Sequence, residues 1–333
     1  MNSKISTFFL FTALILASCS VGPLAESETA PGSGAASARR LERIGEIEHP
    51  AVTESSGLAA STLTPDVLWT HNDSGDKPRL FALNFKGEHL AVINLKGASA
   101  YDWEDLASFK LEGKSYLLIA DIGDNAARRQ SYMLYAIEEP SINPLSKNQI
   151  FEIPVSWKIT FTYKEGSRDS EAAAVDSDAG QILILSKRDR PPVLYSLPLR
   201  QNNKEPLVAK RLASLSNFPG PLPADPFQGL IFGSFSDQPT AMDISLDRKT
   251  ALVVTYTYAY LFARKYGQTW AEAFTQIPLR ITLPYRNQGE SGCFSPDGSS
   301  IFLGSEKRPS SLWRISIENK VKKIFPFPST LPK

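Results

Sequence analysis

The sequence predicts an all-β chain, a β-propeller of five blades with about four antiparallel strands each, and three observations predict it. First, a short acidic or hydroxyl-bearing turn is expected five times: Ser55-Ser56-Gly57-Leu58, Trp103-Glu104-Asp105-Leu106, Ser170-Glu171-Ala172-Ala173, Pro239-Thr240-Ala241-Met242 and Gly289-Glu290-Ser291-Gly292. Second, about sixteen residues after each comes a strand end, read as Trp69-Thr70-His71, Ile119-Ala120-Asp121, Leu185-Ser186-Lys187, Val254-Thr255-Tyr256 and Gly304-Ser305-Glu306. Third, an aliphatic-aromatic pair follows each time: Leu80-Phe81, Leu134-Tyr135, Leu194-Tyr195, Leu261-Phe262 and Leu312-Trp313. Small sheets repeated at this period cannot bury both faces alone, so they stack radially about an axis. The span from Leu41 to Lys333 would divide into seven repeats of about 42 residues, but only five units align, at about 59 residues each. Six blades is the alternative.

The first blade shows the pattern most clearly, with strands expected over 58–61, 67–71, 79–84 and 88–95. Turn chemistry separates first and second strands in every unit: Thr64-Pro65-Asp66, Glu112-Gly113-Lys114, Asp176-Ser177-Asp178-Ala179-Gly180, Asp247-Arg248-Lys249 and Ser295-Pro296-Asp297-Gly298. The Asp-rich turn lacks the ligand spacing and terminal Glu of a calcium loop, so it reads as a hairpin like its equivalents. Excess length falls in loops near 140–150 and 216–238. Leu41 to His49 alternates in character but has no repeat of its own; it is expected to pair with the last blade, 292–327, and close the ring.

The first residues read as a secretion signal, with Lys4, an apolar run from Phe8 to Ala17, and Leu16-Ala17-Ser18-Cys19 as processing site. A run of about ten apolar residues is too short for a hydrocarbon core that needs roughly twenty. The domain organisation is then a lipoprotein signal peptide over 1–18, a flexible tether over 19–40 and a single β-propeller domain over 41–333. The Leu-Ala-Ser-Cys order resembles a bacterial lipobox, which implies lipidation at Cys19 and a membrane partner through that anchor. Ser20 after the Cys resembles the outer-membrane sorting pattern and places the domain in the bacterial cell envelope, facing the periplasm. With Cys19 acylated, Cys293 has no partner for a disulfide and is read as a small buried hydrophobe. Net charge is +1, from 36 basic and 35 acidic residues, so the composition implies no nucleic acid or other polyanion partner.

Equivalent positions of radial blades meet near the axis. Ser56, Glu104, Glu171, Thr240 and Glu290 are therefore expected to ring a central channel, and His71, Asp121, Lys187, Tyr256 and Glu306 to form a second ring. Converging Glu residues repel one another unless protonated, paired or bridged by a cation, and hard oxygen ligands favour calcium or magnesium over zinc. Two acidic loops leave matching strand ends, His71-Asn72-Asp73-Ser74-Gly75-Asp76 and Asp121-Ile122-Gly123-Asp124-Asn125. Such loops also form when short carboxylates and amides simply cap their own backbone. The metal-ligand candidates are Glu104, Asp121, Asp124, Glu171 and Glu290, with calcium the cofactor they would admit. The acid-base candidates are Asp102, Glu104, Glu171, Glu290 and His71.

Gly289-Glu290-Ser291-Gly292-Cys293 starts like a nucleophile elbow but ends in Cys and lacks the strand-turn-helix setting. With only His49, His71 and His89 in the chain, a three-His zinc site is excluded as a working reading. Tyr256, Tyr258 and Tyr260 alternate as if on one strand face, either packing between blades or forming an aromatic ligand platform. Tyr256, Lys187 and Arg188 are the ligand-binding candidates.

Tyr101-Asp102-Trp103-Glu104-Asp105-Leu106, followed by Ala120-Asp121-Ile122-Gly123-Asp124-Asn125, resembles a group of bacterial secreted β-propeller lipoproteins of unassigned function. The stretches 71–76, 253–260, Gln288-Gly289-Glu290-Ser291 and Ser295-Pro296-Asp297-Gly298 match the same pattern, which covers nearly all of 52–317. More distantly it is similar to phytase-like esterase, gluconolactonase and WD-repeat-like propellers, some of which hold calcium in the axial channel. Thr240 stands where those could use a carboxylate, and no complete catalytic set carries over. The expectation is an envelope-anchored propeller that binds a small-molecule or protein ligand at one mouth, with an axial cation. The alternatives are a calcium-dependent hydrolase of a phosphate ester or lactone, with Lys187 and Arg188 countering substrate charge, and a structural scaffold of an envelope complex.

Overall fold

The computed structural model of the chain describes residues 41–218 and 237–317. The expected signal peptide, Cys19 and the expected tether lie outside these residues, as do 219–236 and the stretch beyond Ile317. The described chain is all-β apart from one helix, α1 (Trp270–Phe274), whose start is fixed by a Thr269–Glu272 capping box. Among the described residues no helix is long and apolar enough to cross a membrane.

A five-stranded sheet contains β2 (Ser55–Ala60), β3 (Val67–Asn72), β4 (Arg79–Asn84), β5 (His89–Lys96) and β9 (Gln149–Pro154), in that order. An eight-stranded sheet joins two meanders. One is β6 (Trp103–Leu111), β7 (Lys114–Asp121), β8 (Tyr132–Glu138) and β10 (Trp157–Tyr163); the other is β11 (Ser170–Asp176), β12 (Gln181–Ser186), β13 (Val193–Pro198) and β14 (Leu207–Ser214). They meet through parallel pairing of β10 with β14, Phe161 opposite Leu207. The other sheets are β15 (Pro239–Ile244), β16 (Thr250–Thr255), β17 (Tyr258–Ala263) and β18 (Leu279–Thr282), and then β19 (Gly292–Phe294), β20 (Ser300–Leu303), β21 (Ser311–Ser316) and β1 (Leu41–Glu46). In the last sheet β1 pairs antiparallel with β21, Leu41 opposite Ile315.

Three details differ from the sequence reading. The stretch after 140–148 is not all loop, because β9 adds parallel to β5 with Val92 opposite Ile150. Tyr256 does not share a strand with Tyr258 and Tyr260: the chain turns at Tyr256-Thr257, where the Thr255 hydroxyl donates to Tyr258 O and accepts from Tyr258 N. Tyr258 and Tyr260 are core residues packed near Phe218 and Phe262, not a ligand platform. Finally, the five recurring segments are not turns: four are the first residues of strands and the fifth, Glu290, stands just before β19.

The first strands of the five meanders, β2, β6, β11, β15 and β19, touch in cyclic order, and β19 touches β2 again. Between successive meanders lie five apolar layers. The layer of Trp69, Leu80, Ile93, Leu106 and Ile119 separates the first two, and that of Leu58, Phe81, Cys293, Phe302 and Leu312 separates the last from the first. A sheet covered on both faces needs apolar side chains on both, so β2, β3, β11 and β16 are buried along their whole length. Each large aliphatic or aromatic group buried there contributes roughly 1.5–3 kcal/mol.

Buried carboxylates tie the inner strands together. Asp105 Oδ1 accepts from Leu106 N at 2.9 Å, and its Oδ2 accepts from Ala173 N at 2.8 Å and Met242 N at 2.9 Å, linking β6 to β11 and β15. Asp243 repeats the device one step on, accepting from Phe294 N at 2.8 Å to reach β19. The Asp-rich hairpin is likewise structural, since Asp176 Oδ2 accepts from Trp270 Nε1 and Arg264 Nη1.

Candidate functional site

At the heads of the inner strands the pairing register slips: between Ser55 and Leu58, Trp103 and Asp105, Ser170 and Ala172, and Pro239 and Ala241. Bulges of this kind re-aim the extra residue out of the ladder, and the extra residues are Ser56, Glu104, Glu171 and Thr240. Two of these, with Glu290, reach a cavity of about 430 Å³ that is also lined by Asp73, Glu306, Lys187, Arg188, Tyr256, Asn125, Gln238 and Gln288. Ser56 and Thr240 do not line it: Ser56 Oγ donates to Glu104 O at 2.8 Å, fixing the neighbouring bulge, and Thr240 Oγ1 faces Val254 O.

Carboxylates dominate the lining. Oxygens of Asp73, Asp102 and Glu104 lie within 4.8 Å of one another, and so do those of Glu104, Asp169 and Glu171. Burial, then the charges of Glu171, Asp73 and Asp102, hold the Glu104 carboxyl well above its ordinary range. Glu171 is raised for the same first reason, with Glu290 next. Asp102 is pushed up to about 6 and Glu306 to about 9, again by burial first and neighbouring carboxylates second.

Two cations answer this charge within the lining. Lys187 Nζ donates to Glu171 Oε1, and that carboxylate holds the ammonium above its usual range despite burial. Arg188 Nε donates to Asp169 Oδ2 at 2.6 Å and its Nη2 donates to Asn125. Tyr256 OH donates to Glu290 Oε1 at 2.6 Å, under the Lys187 ammonium. Both Glu171 Oε2 and Glu306 Oε2 are buried without a hydrogen-bond partner, in side chains 3% and 4% exposed. An ionised oxygen in that state is costly unless something else occupies the cavity or a proton does.

Other expected site residues have different work. Asp121 accepts from Tyr101 N and Asp102 N, both at 3.2 Å, and pairs with Arg129 at 2.8 Å. Asp124 accepts from Arg128 N, Arg129 N and Tyr132 OH. Both therefore shape the loop that carries Gly123 and are not among the converging oxygens. His71 does not line the cavity either. It is buried, with Nδ1 at 2.9 Å from Asn72 O, its ring edge-on to Trp103 and its Nε2 against Gly57. Burial pushes it down to about 4, so it stays neutral.

The sequence reading passed over Asp73 and Asp169 as ligands. Asp73 was assigned only to a loop, although its place two residues after a strand end was the available signal. Asp169 immediately precedes the Ser170-Glu171 unit and carries no repeat signal of its own. Arg286 was also missed: buried, it donates to Gly304 O and Thr255 O and packs over Gly289, where a Cβ would overlap its guanidinium.

Gly123 has a stricter requirement. A Cβ there would overlap Glu104 Oε1 and lie 2.5 Å from Asp102 Oδ2. Gly123→Ala is therefore expected to push both carboxylates aside, at a stability cost of about 1–3 kcal/mol. Any cation held by Glu104 should bind at least tenfold more weakly in this variant, read by titration calorimetry; unchanged affinity would show that Glu104 is not a ligand.

No protein-family model and no curated protein matches the chain. Solved structures similar to it include the Malassezia sympodialis allergen Mala s 1, at 12% identity, TM-score 0.46, over 82% of this chain and 95% of that one. A gluconolactonase from Xanthomonas campestris is similar at 12% identity, TM-score 0.41, over 85% and 93%. The WD40 repeats of RRP9 are similar at 12% identity, TM-score 0.40, over 79% and 80%.

Proposed function

We propose that the five meanders are the blades of a five-bladed β-propeller, closed by the pairing of β1 with β21, and that the chain is a ligand-binding protein of the bacterial cell envelope. It is carried by a lipid on Cys19, in the outer membrane facing the periplasm, and takes its small-molecule or protein ligand in the acidic cavity around a hard divalent cation. The cyclic contact of the inner strands supports the blade count.

The observation that carries the cation reading is the unpartnered Glu171 Oε2, in a carboxylate that converges with Glu104, which in turn converges with Asp73 and Asp102. All candidate donors are carboxylate oxygens on several strands and loops, which suits calcium, with its six to eight oxygen ligands at about 2.3–2.6 Å, better than zinc. The residues present fit such an ion: Asp73, Asp102, Glu104 and Glu171 would hold it. Asp169 is already engaged by Asp124 N and Arg188. The test is a pair of thermal melts of the full chain, in chelator and in millimolar calcium. The expected result is a rise of several degrees with calcium that is lost in Glu104→Gln; no rise in the wild-type chain defeats the cation reading.

A second reading, a calcium-dependent hydrolase of a phosphate ester or lactone, is favoured by one observation. Lys187 and Arg188 stand in the wall of the same cavity, where they would face the negative charge of a substrate. When bound, the ion would polarise the scissile group or lower the pKa of a water. A screen of phosphate monoesters and lactones with calcium present tests it, and turnover surviving in Glu104→Gln would place the chemistry elsewhere.

A further inference from the structure

We propose that Glu290 and Glu306, with Tyr256 and Gln288, form a second subsite in this cavity that binds an organic ammonium or guanidinium group of the ligand. The inference rests on the reading of the cavity as a ligand site, but not on the presence of calcium. Glu290 and Glu306 come from the loop before β19 and the loop after β20, brought together where Glu306 N donates to Gln288 O at 2.8 Å. The Glu306 carboxyl lies in hydrogen-bond contact with that of Glu290 and also with that of Asp73 at the edge of the cation group, and Tyr256 OH supplies one donor, to Glu290 Oε1. Glu306 Oε2 is left buried, facing the cavity, with no partner.

The nearby cations make their hydrogen bonds elsewhere. Lys187 bonds Glu171, Arg188 bonds Asp169, and Arg286 donates to the carbonyls of Gly304 and Thr255, so Lys187 and Arg286 act on Glu290 through charge alone. Nor are Glu290 and Glu306 in either group of converging oxygens, so a divalent ion finds its oxygen cage on the Asp73, Asp102, Glu104 and Glu171 side. An alkylammonium differs from such an ion in needing only three acceptors, and Glu290, Glu306 and the Gln288 amide oxygen provide that number. The cavity of about 430 Å³ is also much larger than one ion needs, since a water occupies about 30 Å³; it falls in the size range of sites for organic ligands.

Such a cation could be a free amine or the basic side chain of a peptide, and two probes distinguish them: cadaverine and Nα-acetyl-lysine amide. Each is titrated by calorimetry into the full chain at pH 7.5, once with chelator and once with calcium. Binding of at least one probe in both conditions is expected, with a tenfold or greater loss in Glu306→Gln while calcium affinity is kept. Glu104→Gln should do the reverse. The tighter probe identifies the source. If Glu306→Gln folds poorly, Glu290→Gln serves, with the same loss of amine binding expected. The proposal is overturned if neither probe binds at millimolar concentration, if the variants bind the amine as the wild type does, or if Glu306→Gln removes a second calcium equivalent instead. Amine binding without calcium binding would defeat the cation reading and leave this one standing.

Discussion

Asp105→Ala is expected to destabilise the protein by about 4 kcal/mol, enough to shift the urea midpoint by more than one molar for a domain of ordinary denaturant sensitivity. The carboxylate is buried and accepts from three backbone N–H groups, on Leu106 of its own strand, Ala173 of β11 and Met242 of β15. Alanine leaves all three donors without a partner and without room for bulk water, and each such loss costs roughly 1–3 kcal/mol. Burial raises the acid well above its usual range, yet the three donors hold it in place, so the group acts as a fixed acceptor at the junction of three strands. Asp243→Ala should lose less, since that carboxylate joins β15 to β19 with one cross-strand bond. Urea denaturation followed by fluorescence checks both, and a loss under about 1 kcal/mol for Asp105→Ala would mean that the junction is held by apolar packing alone.

The second large effect is on pH dependence. In metal-free protein, stability should fall as pH rises from about 4.5 to 9. Glu306 has its folded-state pKa raised to about 9 from an ordinary 4.5. Below 4.5 both states hold the proton; above it the unfolded chain releases the proton while the folded chain keeps it, until pH passes 9. The full shift would correspond to about 6 kcal/mol, and because the cavity is open to water and its carboxyls share charge, about 3 kcal/mol is the realistic scale. Glu306→Gln should reduce this slope, the remainder coming from the raised Glu104, Glu171 and Asp102, and calcium should oppose it by engaging the neighbouring carboxylates. On the acid side the sign reverses. His71 has its pKa lowered to about 4 by burial, so from pH 6.5 down to 4 the unfolded chain takes up a proton that the folded chain refuses, at up to about 3 kcal/mol. Urea midpoints at pH 4, 5.5 and 9, with and without chelator, should therefore peak near 5.5 in chelator. A flat profile would show that these groups titrate normally.

The fivefold spacing made the inner strands legible because each unit places the same residue types at the same depth. The hairpin turns were legible too: Asp66, Glu112, Gly113, Gly180, Arg248 and Gly298 all adopt positive φ in the expected places. What the spacing could not show was the conformation of the units. Trp103-Glu104-Asp105 reads as a turn from composition, but it is a bulged strand in which Glu104 turns to the cavity and Asp105 into the strand junction. One residue of offset separates a site group from a structural one, and sequence period alone does not distinguish them. Tyr256 failed differently: strand alternation continued through a hairpin because Thr255 and Thr257 look like strand residues, and only the Thr255–Tyr258 bonds reveal the turn. Asp121 and Asp124 read as ligands because loop-capping carboxylates and metal-binding carboxylates have the same composition; in the structure both accept from backbone N–H groups of nearby loop residues.

The central claim is that carboxylates from separate strands and loops converge on one cation in the cavity at the heads of the inner strands. Calorimetric titration of calcium into the full chain at pH 7.5, beside Glu171→Gln, tests it most directly. One binding site in the wild-type chain, weakened tenfold or more by the substitution, is the expected result. Absence of calcium binding at millimolar concentration, or equal binding by both proteins, would contradict it.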